Sequence, residues 1–187
     1  MNLANNLTLA RILLSPVFVL SVIAYRADSA VFSKLPAFVF ISAVLTDALD
    51  GFFARRMHQE TAAGRVLDPL ADKLLLASAF ITLSLYSPLP GWMKVPGWVA
   101  VCVVSRDVFI LLGAGLIFLV FGYIEFRPTS LGKTTTFFQM VTVLGALFRL
   151  GFLLPIWIIT VILTVTSGAQ YFIRAQAAIG KRKVKDA

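Results

Sequence analysis

Cysteine and histidine are nearly missing from this chain, with one of each in 187 residues. The lone thiol, Cys102, sits in the apolar run "WVAVCVVS", so no intrachain disulfide can form and nothing marks an oxidising compartment. A zinc site lacks its usual donors. His58 lies in a polar turn with no nucleophile motif, which leaves a Ser-His-Asp hydrolase without its parts. Charge is scarce as well: Asp, Glu, Lys and Arg make up 14% of the residues, against about 25% in a soluble domain. No internal repeat and no glycine-rich phosphate loop is found, since "GAG" at 113–115 lies deep in an apolar run and reads as a close helix-packing point.

What is abundant is apolar surface, 59% of the residues, with 16 Phe. A bilayer span takes roughly 20 apolar residues, so the length allows about six spans with short loops and leaves no separate soluble domain. The expected fold is an all-α integral membrane protein formed as one domain, 1–187. The net charge of +8 is no nucleic-acid footprint, because the basic residues collect at the ends of apolar runs and in "KRKVK". That tail, about 175–187, is placed to lie near anionic lipid.

Charges, Pro and Gly divide the apolar runs into six predicted spans, near residues 8–25, 32–54, 63–86, 96–122, 132–150 and 153–174. The first has no basic stretch ahead of it and carries Arg11, unlike a secretory signal, and is expected to remain as a span. Arg26, Lys34, Lys94 and Arg149 fall on one side, Arg106 falls mid-span, and the remaining 12 of the 17 basic residues fall on the side of both termini. The excess of basic residues makes that side cytoplasmic. Pro88, Pro90 and Pro96 mark a turn on the other side, with Trp92 and Trp98 as interface anchors.

Against this background "DALDGFFARRMHQETAAGRVLDPLADK", residues 47–73, gathers Asp47, Asp50, Asp68 and Asp72. On helices, spacings of three and four place each pair on one face, and Gly64, four residues before Asp68, continues that face with bare backbone that a ligand can approach. An N-cap or an ion pair with Arg55, Arg56 or Lys73 would explain any single Asp, but not four on two adjoining helix ends. Carboxylates gathered in a poorly solvated region repel one another unless compensated, and two divalent cations would compensate them. An all-oxygen set favours Mg²⁺ or Mn²⁺, and a pair of such ions suits displacement at phosphorus, with Arg55 placed to clamp phosphate.

The pattern Asp47-x2-Asp50-Gly51-x2-Ala54-Arg55-x8-Gly64-x3-Asp68-x3-Asp72 is similar, without a departure, to the signature of the CDP-alcohol phosphatidyltransferases. The resemblance implies six transmembrane helices with a polar active-site cavity on the cytoplasmic side, and displacement of CMP from a CDP-linked lipid by an alcohol. It implies that Asp47, Asp50, Asp68 and Asp72 hold two divalent cations, that Asp72 also serves as general base, and that Asp47, Asp50, Gly51, Arg55 and Gly64 meet the CDP group. It further implies a homodimer, in a bacterial inner membrane.

"NLANNLTLARILLSP", "LDPLADK" and "PTSLGKTTTFFQM" look like the branch that forms phosphatidylglycerophosphate or, from CDP-lipid, cardiolipin. Glycerol 3-phosphate brings a phosphate dianion, for which Arg106, Arg127 and Lys133 are candidate partners. Arg106 has a second reading, as an ion pair with Asp107, strained because neighbours on a helix point about 100° apart; Lys133 could instead snorkel to the interface. Asp107, in "SRDV", departs from the Glu found in many phosphatidylglycerophosphate-forming members and looks closer to the cardiolipin-forming ones. The acceptor is expected to be glycerol 3-phosphate, with phosphatidylglycerol as the alternative. A cation transporter would need polar groups through the bilayer depth, where only Arg106 and Asp107 lie.

Overall fold

The first helix carries a proline in its interior, and that sets its local chemistry. In the computed structural model, α1 runs Leu3–Ile23 with Pro16 inside it. Proline has no N–H to give to the carbonyl of Ile12, and within a bilayer such a loss must be made good nearby. Hydroxyls work on the same helix: Ser15 donates to the carbonyl of Arg11 (3.2 Å) and Ser21 to that of Phe18 (2.6 Å). The structure describes the backbone of residues 3–57, 64–86, 88–121, 129–148 and 150–183, and the side chains of 10–46, 70–86, 88–115, 129–148, 150–174 and 176.

Five more α-helices follow among the described residues: α2 Leu35–Met57, α3 Gly64–Leu85, α4 Gly97–Phe121, α5 Ser130–Leu147 and α6 Leu153–Lys183, with a short 3-10 turn, Gly91–Met93, ahead of α4. Among the described residues there is no strand. The chain is all-helical, as its apolar runs predict. The stretches Gly91–Gly115 and Leu153–Arg174 are long and apolar enough to cross a bilayer, and Ala10–Ile23 and Leu35–Thr46 are shorter apolar helical stretches.

The chain divides into two compact units. The first comprises Met1–Gly97 with Val143–Gly151. In it α1 packs against both α2 and α3. Its core is apolar, built on Phe18, Phe40, Leu75, Leu76, Phe80 and Leu83, all essentially sealed from solvent. The Phe18 and Phe40 rings meet at 5.5 Å and 59°, a tilted geometry that suits their quadrupoles. The proline-rich turn is tied down: Val95 N–H donates to the Leu83 carbonyl (3.2 Å), Tyr86 Oη to the Ile23 carbonyl (3.3 Å), and Trp92 stands edge-on to Tyr25 at 6.3 Å. Trp98, the other expected anchor, belongs to the second unit and is half exposed.

The second unit comprises Trp98–Thr142 with Phe152–Ala187. Helix α6 there is turned inside out relative to a water-soluble helix. Leu154, Ile158, Ile162, Val165 and Phe172 lie on its exposed face, while Thr160, Thr164 and Ser167 are fully buried. Lipid tails solvate leucine as well as a protein core does, so small and hydroxyl-bearing residues form the helix contact. Thr135 Oγ1 reaches the Leu163 carbonyl (3.1 Å), Thr142 Oγ1 lies 2.8 Å from Thr160 Oγ1, and Thr160 donates to the Phe138 carbonyl (3.3 Å). These contacts fix α5 and α6 as antiparallel neighbours. At Gly113 and Gly115, where close helix packing is expected, a Cβ would meet nothing within 4 Å among the described residues.

Candidate active site

The four aspartates divide between two helices of the first unit. Asp47 and Asp50 lie on α2, and Asp68 and Asp72 on α3. From the helix ends at Met57 and Gly64, at about 1.5 Å per residue, they stand about 15, 11, 6 and 12 Å inside, so none lies at a frayed terminus. The helical backbones are present as the spacing predicts, and each pair shares a helix face by register. Asp72 is half-buried and engaged in an interaction. The side chains of Asp47, Asp50, Gly51, Arg55, Gly64 and Asp68 lie outside the described ones, and Arg127 and His58 lie outside the described residues altogether.

A divalent hard cation suits this donor set. The set is all carboxylate, and no thiol or imidazole is described on these helices that would favour a softer ion.

The cationic residues of the second unit have a different setting. Arg106 is on α4 and only 8% exposed. Its Nη1 lies 2.6 Å from Asp107 Oδ1, so the neighbouring pair that helix geometry makes strained does form, through the reach of the arginine side chain. Nη2 donates to Ser167 Oγ on α6, and the guanidinium stands 5.6 Å from the Tyr171 ring centroid. Arg106 Nε is buried and has no hydrogen-bond partner. The cost of desolvating this charge is thus offset by an anion, a hydroxyl and a ring face, with one donor left over.

Lys133 is exposed in the first turn of α5. That turn is capped by Thr129, whose Oγ1 accepts from Gly132 N–H at 2.9 Å. A Cβ at Gly132 would come within 3.1 Å of Thr129 Oγ1 and 3.2 Å of Tyr171 Oη, so glycine permits the α5 N-terminus to close on α6 here. Lys133 and the Tyr171 that flanks Arg106 therefore belong to one end of the α5–α6 pair.

Sequence reasoning singled out Arg106, Arg127 and Lys133 but not the polar residues around them. Thr135, Gln139 and Thr142 on α5 and Thr160, Thr164, Ser167 and Tyr171 on α6 recur at three- and four-residue spacings. That periodicity of polar residues inside apolar runs was the available signal.

A family model described as CDP-alcohol phosphatidyltransferase matches residues 1–171. The chain belongs to the CDP-alcohol phosphatidyltransferase family. It is 34% identical over 189 residues to CDP-diacylglycerol–glycerol-3-phosphate 3-phosphatidyltransferase of Bacillus subtilis (strain 168), covering 91% of this chain and 93% of that one. It is 35% identical over 187 residues to a probable phosphatidylglycerophosphate synthase of Mycobacterium tuberculosis (strain CDC 1551 / Oshkosh), covering 96% and 84%. A third relative, CDP-diacylglycerol–glycerol-3-phosphate 3-phosphatidyltransferase of Aquifex aeolicus (strain VF5), is 33% identical over 150 residues, covering 78% and 75%. Membership of the CDP-alcohol phosphatidyltransferases makes the chain a transferase of a metal-dependent family, and its apolar helices mark it as membrane-associated.

Proposed function

We propose that this phosphatidyltransferase moves the phosphatidyl group of CDP-diacylglycerol onto glycerol 3-phosphate and releases CMP. The observation that carries the reading is similarity over 78–96% of the chain, at 33–35% identity, to relatives named for that reaction or its product. The whole chain works as one membrane domain with six spans, both termini cytoplasmic, in a bacterial inner membrane and as a homodimer, with the carboxylates in a polar cavity at the cytoplasmic side.

Asp47, Asp50, Asp68 and Asp72 would hold two divalent cations, Mg²⁺ or Mn²⁺. When bound, such ions neutralise the pyrophosphate and the charge that develops on it. Gly51 and Gly64 offer bare backbone to the CDP group, and Arg55 adds a cation to it. The acceptor hydroxyl oxygen forms its bond to the phosphatidyl phosphorus, the phosphorus–oxygen bond to CMP breaks, and Asp72 takes the hydroxyl proton. Arg127, Lys133 and the unpartnered Nε of Arg106 serve the acceptor phosphate; support for Arg106 is a buried donor with nothing to bind.

One observation favours phosphatidylglycerol as acceptor instead, the Asp107 that departs from the glutamate of many phosphatidylglycerophosphate-forming members. CMP release by purified protein with Mg²⁺ and CDP-diacylglycerol separates the two. Release with glycerol 3-phosphate is expected; release with phosphatidylglycerol alone moves the chain to the cardiolipin-forming reaction.

A further inference from the structure

Gln139 is fully buried on α5, and neither its Nε2 nor its Oε1 has a hydrogen-bond partner. Burying an amide without a partner is costly, so a donor and an acceptor idle side by side call for a reason. The hydroxyls of the same seam do not supply one. Thr135 is spent on the Leu131 and Leu163 carbonyls, Thr142 on Thr160, and Thr164 on the Thr160 carbonyl. The hydroxyl protons of these threonines are committed, and Gln139 is left with both of its amide atoms unmatched.

Its place in the seam indicates what it could meet. The Thr135 bond to Leu163 and the Thr160 bond to Phe138 set the turn of Gln139 beside residues 160–163 of α6. Ser167, which holds the Arg106 guanidinium, is four to seven residues further along α6, about 6–10 Å at helical rise. Among the unmatched buried polar atoms of the second unit, which also include Trp157 Nε1 and Gln170 Oε1, two mark the ends of this short stretch: Arg106 Nε, cationic, and the Gln139 amide, neutral and able both to donate and to accept. An anion at the first and a hydroxyl at the second is the chemistry of a small polyol phosphate.

We propose that Gln139 is a specificity-determining residue that hydrogen-bonds the secondary hydroxyl of a three-carbon polyol phosphate whose phosphate is held at Arg106. This rests on the acceptor reading given above and adds to it the group that reads the glycerol carbon chain. An amide that donates and accepts matches a hydroxyl that does both, and loss of that hydroxyl returns the buried amide to its unmatched state, which is how polar sites reject a deoxy analogue.

The test compares glycerol 3-phosphate with 3-hydroxypropyl phosphate, which keeps the phosphate and a terminal hydroxyl but lacks the secondary one. The full-length wild-type protein and Gln139→Leu are assayed for CMP release. The wild type should favour glycerol 3-phosphate by about tenfold or more in kcat/KM, the effect of one neutral hydrogen bond. Gln139→Leu should bring the two acceptors to within about twofold, leave the KM for CDP-diacylglycerol unchanged and not lower Tm, because it removes an unmatched buried amide. A wild type that uses both acceptors equally overturns the inference, and so does a variant that loses both by the same factor. The wild-type comparison decides even where Gln139→Leu does not fold, and Gln139→Met offers a second shape. CMP release with phosphatidylglycerol alone overturns the acceptor reading and the inference with it; release with glycerol 3-phosphate without discrimination overturns only the inference.

Discussion

The interiors of the two units of this protein are built from opposite materials. The first has an apolar interior of Phe18, Phe40, Leu75 and Phe80 and carries the four aspartates on two of its helices. The second buries Thr135, Gln139, Thr142, Thr160, Thr164 and Ser167 with an Arg106–Asp107 pair, and turns its isoleucines and phenylalanines outward. Both are helical, so backbone hydrogen bonding does not distinguish them. The difference lies in what each side chain would otherwise meet. Where helices compete with lipid tails, burying leucine gains little, and hydroxyls that find one another hold the helices in register. The second unit spends its buried hydroxyls on packing, and Arg106 Nε and the Gln139 amide stand among its few unmatched polar atoms.

The largest effects should come from the carboxylates. Asp68→Asn or Asp50→Asn should lower CMP release by at least about 10³-fold, since each withdraws a ligand from transition-state charge stabilisation worth several kcal/mol. A loss under tenfold would return these residues to the role of a simple ion-pair network. Asp72→Asn should cut turnover by about 10²–10⁴-fold, the range for a general base, with CDP-diacylglycerol binding preserved. If binding falls in step with turnover, Asp72 is mainly a metal ligand.

In the second unit the strongest perturbation should be one of stability. Asp107→Asn leaves the buried Arg106 without its anion and should destabilise by about 3–5 kcal/mol, seen as a lowered Tm in detergent. Replacing both residues together with apolar ones should cost less than Asp107→Asn alone; equal costs would show that the pair does not act as a unit.

Glycine gives a finer contrast. Gly132→Ala places its Cβ 3.1 Å from Thr129 Oγ1 and 3.2 Å from Tyr171 Oη, and should raise the KM for the acceptor severalfold while lowering Tm. Gly113→Ala meets open space and should be neutral or stabilising by up to about 1 kcal/mol through helix propensity. Smallest of all, Thr142→Val removes one side of the Thr142–Thr160 contact and should cost about 0.6 kcal/mol, the mean for such bonds between membrane helices.

The helices were legible in the sequence and their ends less so, for a physical reason. The prediction of 153–174 for the last apolar run stops where hydropathy stops, at Arg174, but α6 continues to Lys183 because "AQAAIGKRK" is made largely of good helix formers. Likewise α1 starts at Leu3, ahead of the apolar run, and α2 extends past it to Met57. Hydropathy measures bilayer thickness, and a helix obeys it only inside the bilayer. The aspartates were legible because their spacing is dense and their chemistry rare in apolar sequence. Gln139 stood in a noted stretch without a role, since its meaning depends on which α6 hydroxyls are already bonded, and no sequence spacing reveals that pairing.

The extension of α6 past its apolar stretch has a mechanical consequence. From Arg174 to Lys183 it continues as a regular helix for about 14 Å. Lys181, Arg182 and Lys183 are thus mounted on a rod instead of a cord, at fixed height and 100° intervals. Rotating or shortening α6 in the bilayer would swing those three charges like the hand of a dial, so a spectroscopic label at its far end would report on events along the buried seam.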